Sequence, residues 1–319
     1  MKNSSIDNHL NVSSYGKESL KNMSFAKKAY FLQLKSKALA QGLKSGSFKS
    51  LNFGQGIDFN GVREYLDGDD VRAIDWNVTA RMGRPYVKLF EEEKELNVFL
   101  ILDASLSMRT GTGDVTRIEQ AVECASLMAF AALQNGNSVG SVIFDGHIRF
   151  SCPPKYGIDN VMLLVSNFEK TISLNRKDDI ATGSVLDNAL KGTAQLLKKR
   201  SLIMIFSDFR TEQWSDSFAR LCQEHDVIAT RIVDPSDDRL PDIGAVPFID
   251  PESGIRLVLQ TSSSKFRRQW SNFGYHHLEN WRHECLKKGG SPLVISTNGN
   301  PLPELTRFFG TRYGVKNHI

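Results

Sequence analysis

Asp103, Ser105 and Ser107 stand at alternate positions directly after the apolar run Val98-Phe99-Leu100-Ile101-Leu102. Such a run suits the centre of a sheet, and a carboxylate where it stops calls for a partner or a task. A second apolar run, Leu202–Phe206, ends in the same way on Ser207-Asp208. Between the two lies Ala181-Thr182-Gly183-Ser184, which places a hydroxyl at the start of a helix. Oxygen donors converging from separate loops, with neither nitrogen nor sulfur among them, suit Mg²⁺, Mn²⁺ or a similar hard cation. The alternative is that Asp103 and Ser105 only satisfy backbone donors at a turn.

The elements that must position these residues are regular from residue 96 onward. Strands at 96–102, 201–208, 227–234 and 292–297 alternate with helices at 117–135, 158–170, 184–199, 213–225 and 262–288, and a last helix runs from Pro303 to Phe309. Alternation of this kind predicts a mostly parallel sheet with helices on both faces. SVGSVIFD and HIRFSCP meet at Asp145-Gly146, a hairpin signal that predicts one antiparallel edge. A further hairpin is expected in PFIDPESGIRLVLQ. In an open sheet of this type ligands gather at the carboxyl ends of the strands, where Asp103 and Asp208 fall.

Ahead of this domain the chain is less regular. Residues 1–16 are polar and aperiodic and read as a disordered tail. A helix is expected from Lys17 to Gln41, ending near Gly42, then short bent strands between Leu43 and Phe59. Residues 17–95 are therefore expected to form a helix and a small extension that pack on the main domain, 96–319. Residues 63–81 mix Arg63, Asp67, Asp69, Asp70, Arg72, Asp75 and Arg81 with Tyr65, Leu66, Val71, Ile74 and Trp76. The expectation is an ion-pair network that seats this stretch on the sheet domain and buries its apolar residues. A docking surface is the other reading.

Composition closes several routes. With 40 % hydrophobic and 24 % charged residues in 319, the chain has the profile of a soluble globular protein. Its longest apolar runs fall far short of the ~20 residues of a membrane span, so a cytoplasmic protein is expected. The four cysteines are scattered without a C-x-x-C pair. A net charge of +4 is too small to argue for nucleic acid, although nine Lys against Asp7 and Glu18 make residues 1–57 a basic arm. Phe266, Trp270, Phe273, His277 and Trp281 recur at helical spacing and read as one buried stripe rather than a base-stacking platform.

The spacing Asp103-x-Ser105-x-Ser107, with Ser184 and Asp208 on later loops, resembles the metal-ion-dependent adhesion site of von Willebrand factor A domains. The stretch GQGIDFNGVREYLDGDDVRAIDWNVTARMGRPYVKLFEEE resembles the signature of the DUF58 family, whose members carry such a domain. The resemblance implies an α/β, von Willebrand A-like (Rossmann-like) fold and a bound Mg²⁺ or Mn²⁺. Ser105 and Ser107 would bind the ion directly, Ser184 would stand where the family pattern has Thr, and Asp103 and Asp208 would hold the ion directly or through water. An open coordination position would take a carboxylate from a partner protein, with Leu106, Met108, Arg109, Phe209 and Arg210 forming the surrounding interface. The implied partner is a MoxR-type AAA+ ATPase, for which the chain would act as adaptor or co-chaperone.

The leading rival is a metal-dependent hydrolase using the same Asp/Ser site. No His lies in the metal loops, and the haloacid-dehalogenase arrangement wants a second Asp where Ser105 stands. Gly111-Thr112-Gly113 is a weak dinucleotide signal, and no P-loop sequence occurs. The expectation is a binding module without enzymatic activity.

Overall fold

The hydrophobic period of the chain switches between helical and extended, and the elements follow it. The computed structural model describes residues 25–45, 58–91, 96–173, 185–211, 213–249 and 255–314. Helix α1 (Phe25–Ser45) precedes a small lobe of β1 (Asp58–Glu64), a 3-10 turn at Val71–Ala73, α2 (Trp76–Met82) and β2 (Tyr86–Glu91). Then come β3 (Asn97–Asp103), α3 (Arg117–Gln134), β4 (Ser138–Phe144), β5 (Ile148–Lys155), α4 (Ile158–Ser173) and α5 (Val185–Leu196). They are followed by β6 (Ser201–Ser207), α6 (Ser215–Glu224), β7 (Asp226–Val233), the hairpin β8 (Ala245–Ile249) and β9 (Arg256–Gln260), α7 (Ser264–Lys287), β10 (Ser291–Ser296) and α8 (Pro301–Gly314).

Six strands form the central sheet in the order β10-β7-β6-β3-β4-β5, parallel throughout except for β5. The antiparallel edge is made as expected, with Gly146 at φ 110° in the connecting turn, a conformation that glycine adopts without steric cost. From β3 the chain builds outward to β4 and β5 on one side, then returns to place β6, β7 and β10 on the other. The reversal leaves a crevice between the carboxyl ends of β3 and β6.

Both faces of the sheet are covered, and β3 shows why its sequence is apolar throughout. Val98, Leu100 and Leu102 point into one core with α3, α4, α8 and α1; Phe99 and Ile101 point into the other with α5, α6 and α7. The sheet is thus a rigid post whose strand ends cannot shift without disturbing two packed cores. A capping box starts α3, in which Thr116 accepts from the Glu119 N–H while the Glu119 carboxylate accepts from Thr116 N–H at 2.8 Å.

Helix α1 packs across α3 with Ala29, Leu32, Leu39 and Ala40 buried, and Lys28–Glu169 at 2.7 Å and Lys35–Glu123 at 3.5 Å border the contact. It runs past Gly42, where the sequence suggested a stop. The ~1 kcal/mol that a helical glycine costs is smaller than the ~2 kcal/mol gained by burying each leucine of the packed face. The start expected at Lys17, the tail 1–16 and most of the strands expected before Phe59 lie outside the described residues.

Two expectations fail. The small lobe closes its charges on itself: Arg63 meets Asp69 at 2.6 Å and Arg84 meets Glu64 at 3.1 Å, while Asp70 and Asp75 cap the 3-10 turn and α2. Among the described residues no ion pair ties it to the sheet domain, and Trp76, Leu66 and Val71 are 67 %, 64 % and 58 % exposed. The local caps and the short β1–β2 ladder satisfy the polar groups within the lobe, where Tyr65 and Ile74 are half-buried and the other three apolar residues stay exposed. The α7 stripe is likewise covered only in part. Trp281 is buried and Phe266 and Trp270 are half-buried, but Phe273 and His277 are exposed. The first half of α7 meets β8 through Trp270 and Phe248, rings 6.5 Å apart, and the turn after β7 through Gly274, and these contacts leave Phe273 exposed.

Candidate metal centre

Asp103 and Asp208 face each other across the β3–β6 crevice, and both are buried. Ser207, the last residue of β6, donates through Oγ to Asp103 Oδ2 at 2.5 Å. The Ser105 N–H donates to Asp103 Oδ1 at 2.9 Å, closing the turn after β3. Ser105 Oγ and Ser107 Oγ lie 3.1 Å apart on that turn. The Phe209 N–H donates to Ser207 Oγ at 3.0 Å, and the Arg210 N–H donates to Asp208 Oδ1 at 3.2 Å. Each loop therefore folds its oxygens inward because backbone N–H groups hold them there.

The electrostatics of the pair are unfavourable without a counter-charge. Burial, and then the neighbouring Asp208 charge, push the Asp103 carboxyl up to about 7, against the hydrogen bonds from Ser207 and Ser105. Asp208 Oδ2 is buried and accepts no hydrogen bond; its charge is met only by a long ion pair to Arg210 Nε at 3.7 Å, beyond hydrogen-bond reach. A buried carboxylate oxygen that accepts no hydrogen bond and has only a distant guanidinium for counter-charge is costly and leaves room for a closer cation. The loop is also strained, since Phe209 sits at φ 51°, in the left-handed region that non-glycine residues seldom adopt. That conformation turns the Phe209 ring into the core, 5.2 Å from Trp214 and 5.3 Å from Trp281, while leaving Asp208 in the crevice.

An outer ring of charge frames the crevice. Two guanidinium groups, those of buried Arg117 and of exposed Arg210, each donate to Asp237 Oδ1 at 2.6 Å. Arg117 also donates to the Thr110 carbonyl at 3.3 Å and to Thr110 Oγ1, which ties the 105–110 loop to the turn after β7. On that turn Asp234 accepts from Thr112, Ser236 and Thr297; burial opposes ionisation, but the hydrogen bonds from Ser236 and Thr112 hold its carboxyl well below the usual range. Arg231 Nη2 lies 2.8 Å from His277 Nδ1, and because a guanidinium only donates, the ring nitrogen accepts.

The residues predicted from sequence are met unevenly. Asp103, Ser105, Ser107 and Asp208 come together; Ser184, with Thr182, lies outside the described residues. Leu106 and Arg109 are half-buried at the rim and Arg210 is exposed. Met108 and Phe209, expected in the partner interface, are buried in the two cores at 0 % and 3 % exposure and offer no side chain to a partner. Met108 is turned inward on the 3-10 turn Ser107–Arg109, and Phe209 by its left-handed backbone. Ser207, Arg117, Arg231, Asp237 and His277 were missed.

Whether these residues fit a metal turns on the donor set. Among the described residues no three His, Cys, Asp or Glu side chains gather at metal-ligand spacing, so hydroxyls must supply part of any shell. Asp103, Asp208, Ser105 and Ser107 offer two carboxylates and two hydroxyls, and the Asp208 oxygen that accepts no hydrogen bond gives a cation a place to bind.

The family model described as "Protein of unknown function DUF58" matches residues 61–280. The chain belongs to the DUF58 family. Uncharacterized proteins of Mycobacterium bovis and Mycobacterium tuberculosis are 27 % identical over 282 residues, covering 88 % of this chain and 87 % of theirs. Two solved structures also overlap this DUF58 chain. One is the conserved hypothetical protein BatB of Bacteroides thetaiotaomicron, with 14 % identity and a TM-score of 0.43; the other is an aerotolerance-related membrane protein of Bacteroides fragilis, with 17 % identity and a TM-score of 0.44. Each overlap covers 69 % of this chain and 98 % of the other. No helix among the described residues is long and apolar enough to cross a membrane.

Proposed function

We propose that this DUF58 protein is a metal-dependent protein-binding module, an adaptor or co-chaperone that works with a MoxR-type AAA+ ATPase. The observation that carries the reading is the buried Asp208 Oδ2, which accepts no hydrogen bond and has only a long ion pair to Arg210, beside Asp103 at the topological switch point of the sheet. The strand order, the single antiparallel edge and the Asp-x-Ser-x-Ser turn at the end of the central strand support a von Willebrand A-like domain over residues 96–319. Asp103, Ser105, Ser107 and Asp208, with Ser184, would hold Mg²⁺ or Mn²⁺. The bound ion would supply residual positive charge at a position that a partner's carboxylate completes. The chain's own residues do the rest: Ser207 and the Ser105 N–H orient Asp103, and Arg117 and Arg210 fix the flanking loops through Asp237.

A pull-down with a MoxR-type AAA+ ATPase tests the reading. Binding should require Mg²⁺, fall in chelator, and be lost in Ser105→Ala while circular dichroism stays unchanged. Equal capture in chelator would move the docking site away from Asp103 and Asp208.

One observation favours the hydrolase as a second reading. Two buried carboxylates, Asp103 and Asp208, stand at the strand ends, where a bound cation could also activate a water. A Mg²⁺-dependent turnover of phosphate esters or peptides that disappears in Asp208→Ala would select that reading over the adaptor.

A further inference from the structure

The first half of α7 stands beside the carboxylate pair and is held there by backbone contact. A Cβ on Gly274 would lie 2.4 Å from the Asp237 carbonyl oxygen, so only glycine lets the helix approach the turn that carries Asp237. Trp270 Nε1 donates to the Ser236 carbonyl at 2.8 Å, and Ser271 Oγ donates to the Asp238 carbonyl. Two turns after Trp270, His277 accepts from Arg231 within electrostatic reach of Arg210 and Asp208. Phe273 sits between these anchors, its ring 6.1 Å from that of His277, yet 70 % of it is exposed. An aromatic side chain held on a fixed helix beside buried charge has the makings of an interface anchor.

Of the carboxylates beside this helix, Asp237, Asp242 and Glu279 are already ion-paired and Asp238 lies on the turn against Gly274, so the unpaired charge along the helix and β9 is basic. From Ile255 to Leu278 the sequence contains no Asp or Glu but includes Arg256, Lys265, Arg267 and Arg268. Arg267 pairs with Asp242 at 3.0 Å, whereas Arg256, Lys265 and Arg268 are exposed. The same stretch exposes Leu257 and Val258 on β9. Like charges opposed across an interface cost affinity, so a basic, partly apolar face selects an acidic, partly apolar occupant.

We propose that the α7 face centred on Phe273 and His277, with Arg210 at the crevice and the basic residues behind it, docks an acidic protein segment. The segment's carboxylates meet the basic rim and one of its apolar side chains covers Phe273. This inference deepens the proposed function, because the face is continuous with the Asp103/Asp208 crevice, and it replaces Met108 and Phe209 as the apolar part of the contact.

Fluorescence anisotropy with a labelled short peptide alternating Glu with Leu and Phe tests it on the full chain, in Mg²⁺ and in chelator. Comparison probes are the same peptide with Lys for Glu, the same peptide with Ser for Leu and Phe, phosphatidylglycerol-containing vesicles, and single-stranded DNA. The acidic apolar peptide should bind best, and Phe273→Ala, a change at an exposed position, should weaken it about tenfold or more. Arg210→Glu should weaken it as well. Equal binding of the Lys peptide, affinity unchanged in Phe273→Ala, or Phe273-dependent binding of vesicles or DNA in place of the peptide would overturn the proposal. If a Phe273-dependent complex forms equally well in chelator, the docking face stands and the metal reading falls. If binding needs Mg²⁺ and Asp208 but ignores Phe273, the metal reading stands and this inference falls.

Discussion

Replacing Asp103 by Asn should stabilise the metal-free protein at high pH, although it removes a residue that the sequence marks as functional. In the folded chain the carboxyl ionises at about 7, against an ordinary value of 3.8. The folded state therefore binds more protons than the unfolded state between those values, and its stability falls as pH rises through the window from ~4 to ~7. At ~1.4 kcal/mol per pH unit, the gap amounts to about 4 kcal/mol of destabilisation above pH 7. Asn abolishes this cost but can keep only one of the two hydrogen bonds that Asp103 accepts from Ser105 and Ser207, a loss of about 1–1.5 kcal/mol. The net gain in chelator at pH 8 is then roughly 2–3 kcal/mol, and near pH 4 it vanishes or reverses. Urea unfolding of both proteins at the two pH values measures it, and excess Mg²⁺ should invert the order at pH 8. Equal destabilisation of Asp103→Asn at both pH values in chelator would refute the argument that Asp103 is strained by burial and by Asp208.

Other outcomes follow from the same structure. Arg117→Met should cost about 3 kcal/mol in denaturant unfolding, because it strips a buried partner from Asp237 while Arg210 remains. Gly140→Ala should cost about 1–3 kcal/mol by the same measurement, since its Cβ would lie 2.6 Å from Pro154 N and 2.8 Å from Phe99 Cδ2. Trp76→Ala should change stability by less than about 0.5 kcal/mol, because the side chain is 67 % exposed; a large loss would mean that the small lobe is seated on the domain after all.

The sheet was legible because its strands are buried on both faces and their apolar runs are unbroken: β3, β6, β7 and β10 fall within a residue of their expected limits. The paired carboxylates were legible because each closes such a run. What escaped was set by tertiary position. Ser207 was visible as the hydroxyl before Asp208, but its bond to Asp103 needs β3 and β6 to be neighbours, which the sequence does not state. The signal for the third strand end was present in Asp234-Pro235-Ser236-Asp237, a cap after β7 that carries two more carboxylates to the crevice rim. The α7 stripe misled because helical spacing identifies an apolar face without saying how far along the helix that face is covered. In the 63–81 stretch, caps and short ion pairs satisfied charges locally, so alternation of apolar and polar residues did not imply burial.

The central claim is that the crevice between Asp103 and Asp208 is a hard-cation site, and titration calorimetry with Mg²⁺ addresses it most directly. The wild-type protein should bind Mg²⁺ in a saturable titration, and Asp208→Ala, which removes the oxygen that accepts no hydrogen bond, should abolish the heat while leaving the circular dichroism spectrum unchanged. Undiminished Mg²⁺ binding in Asp208→Ala, or none in the wild type, would contradict the account.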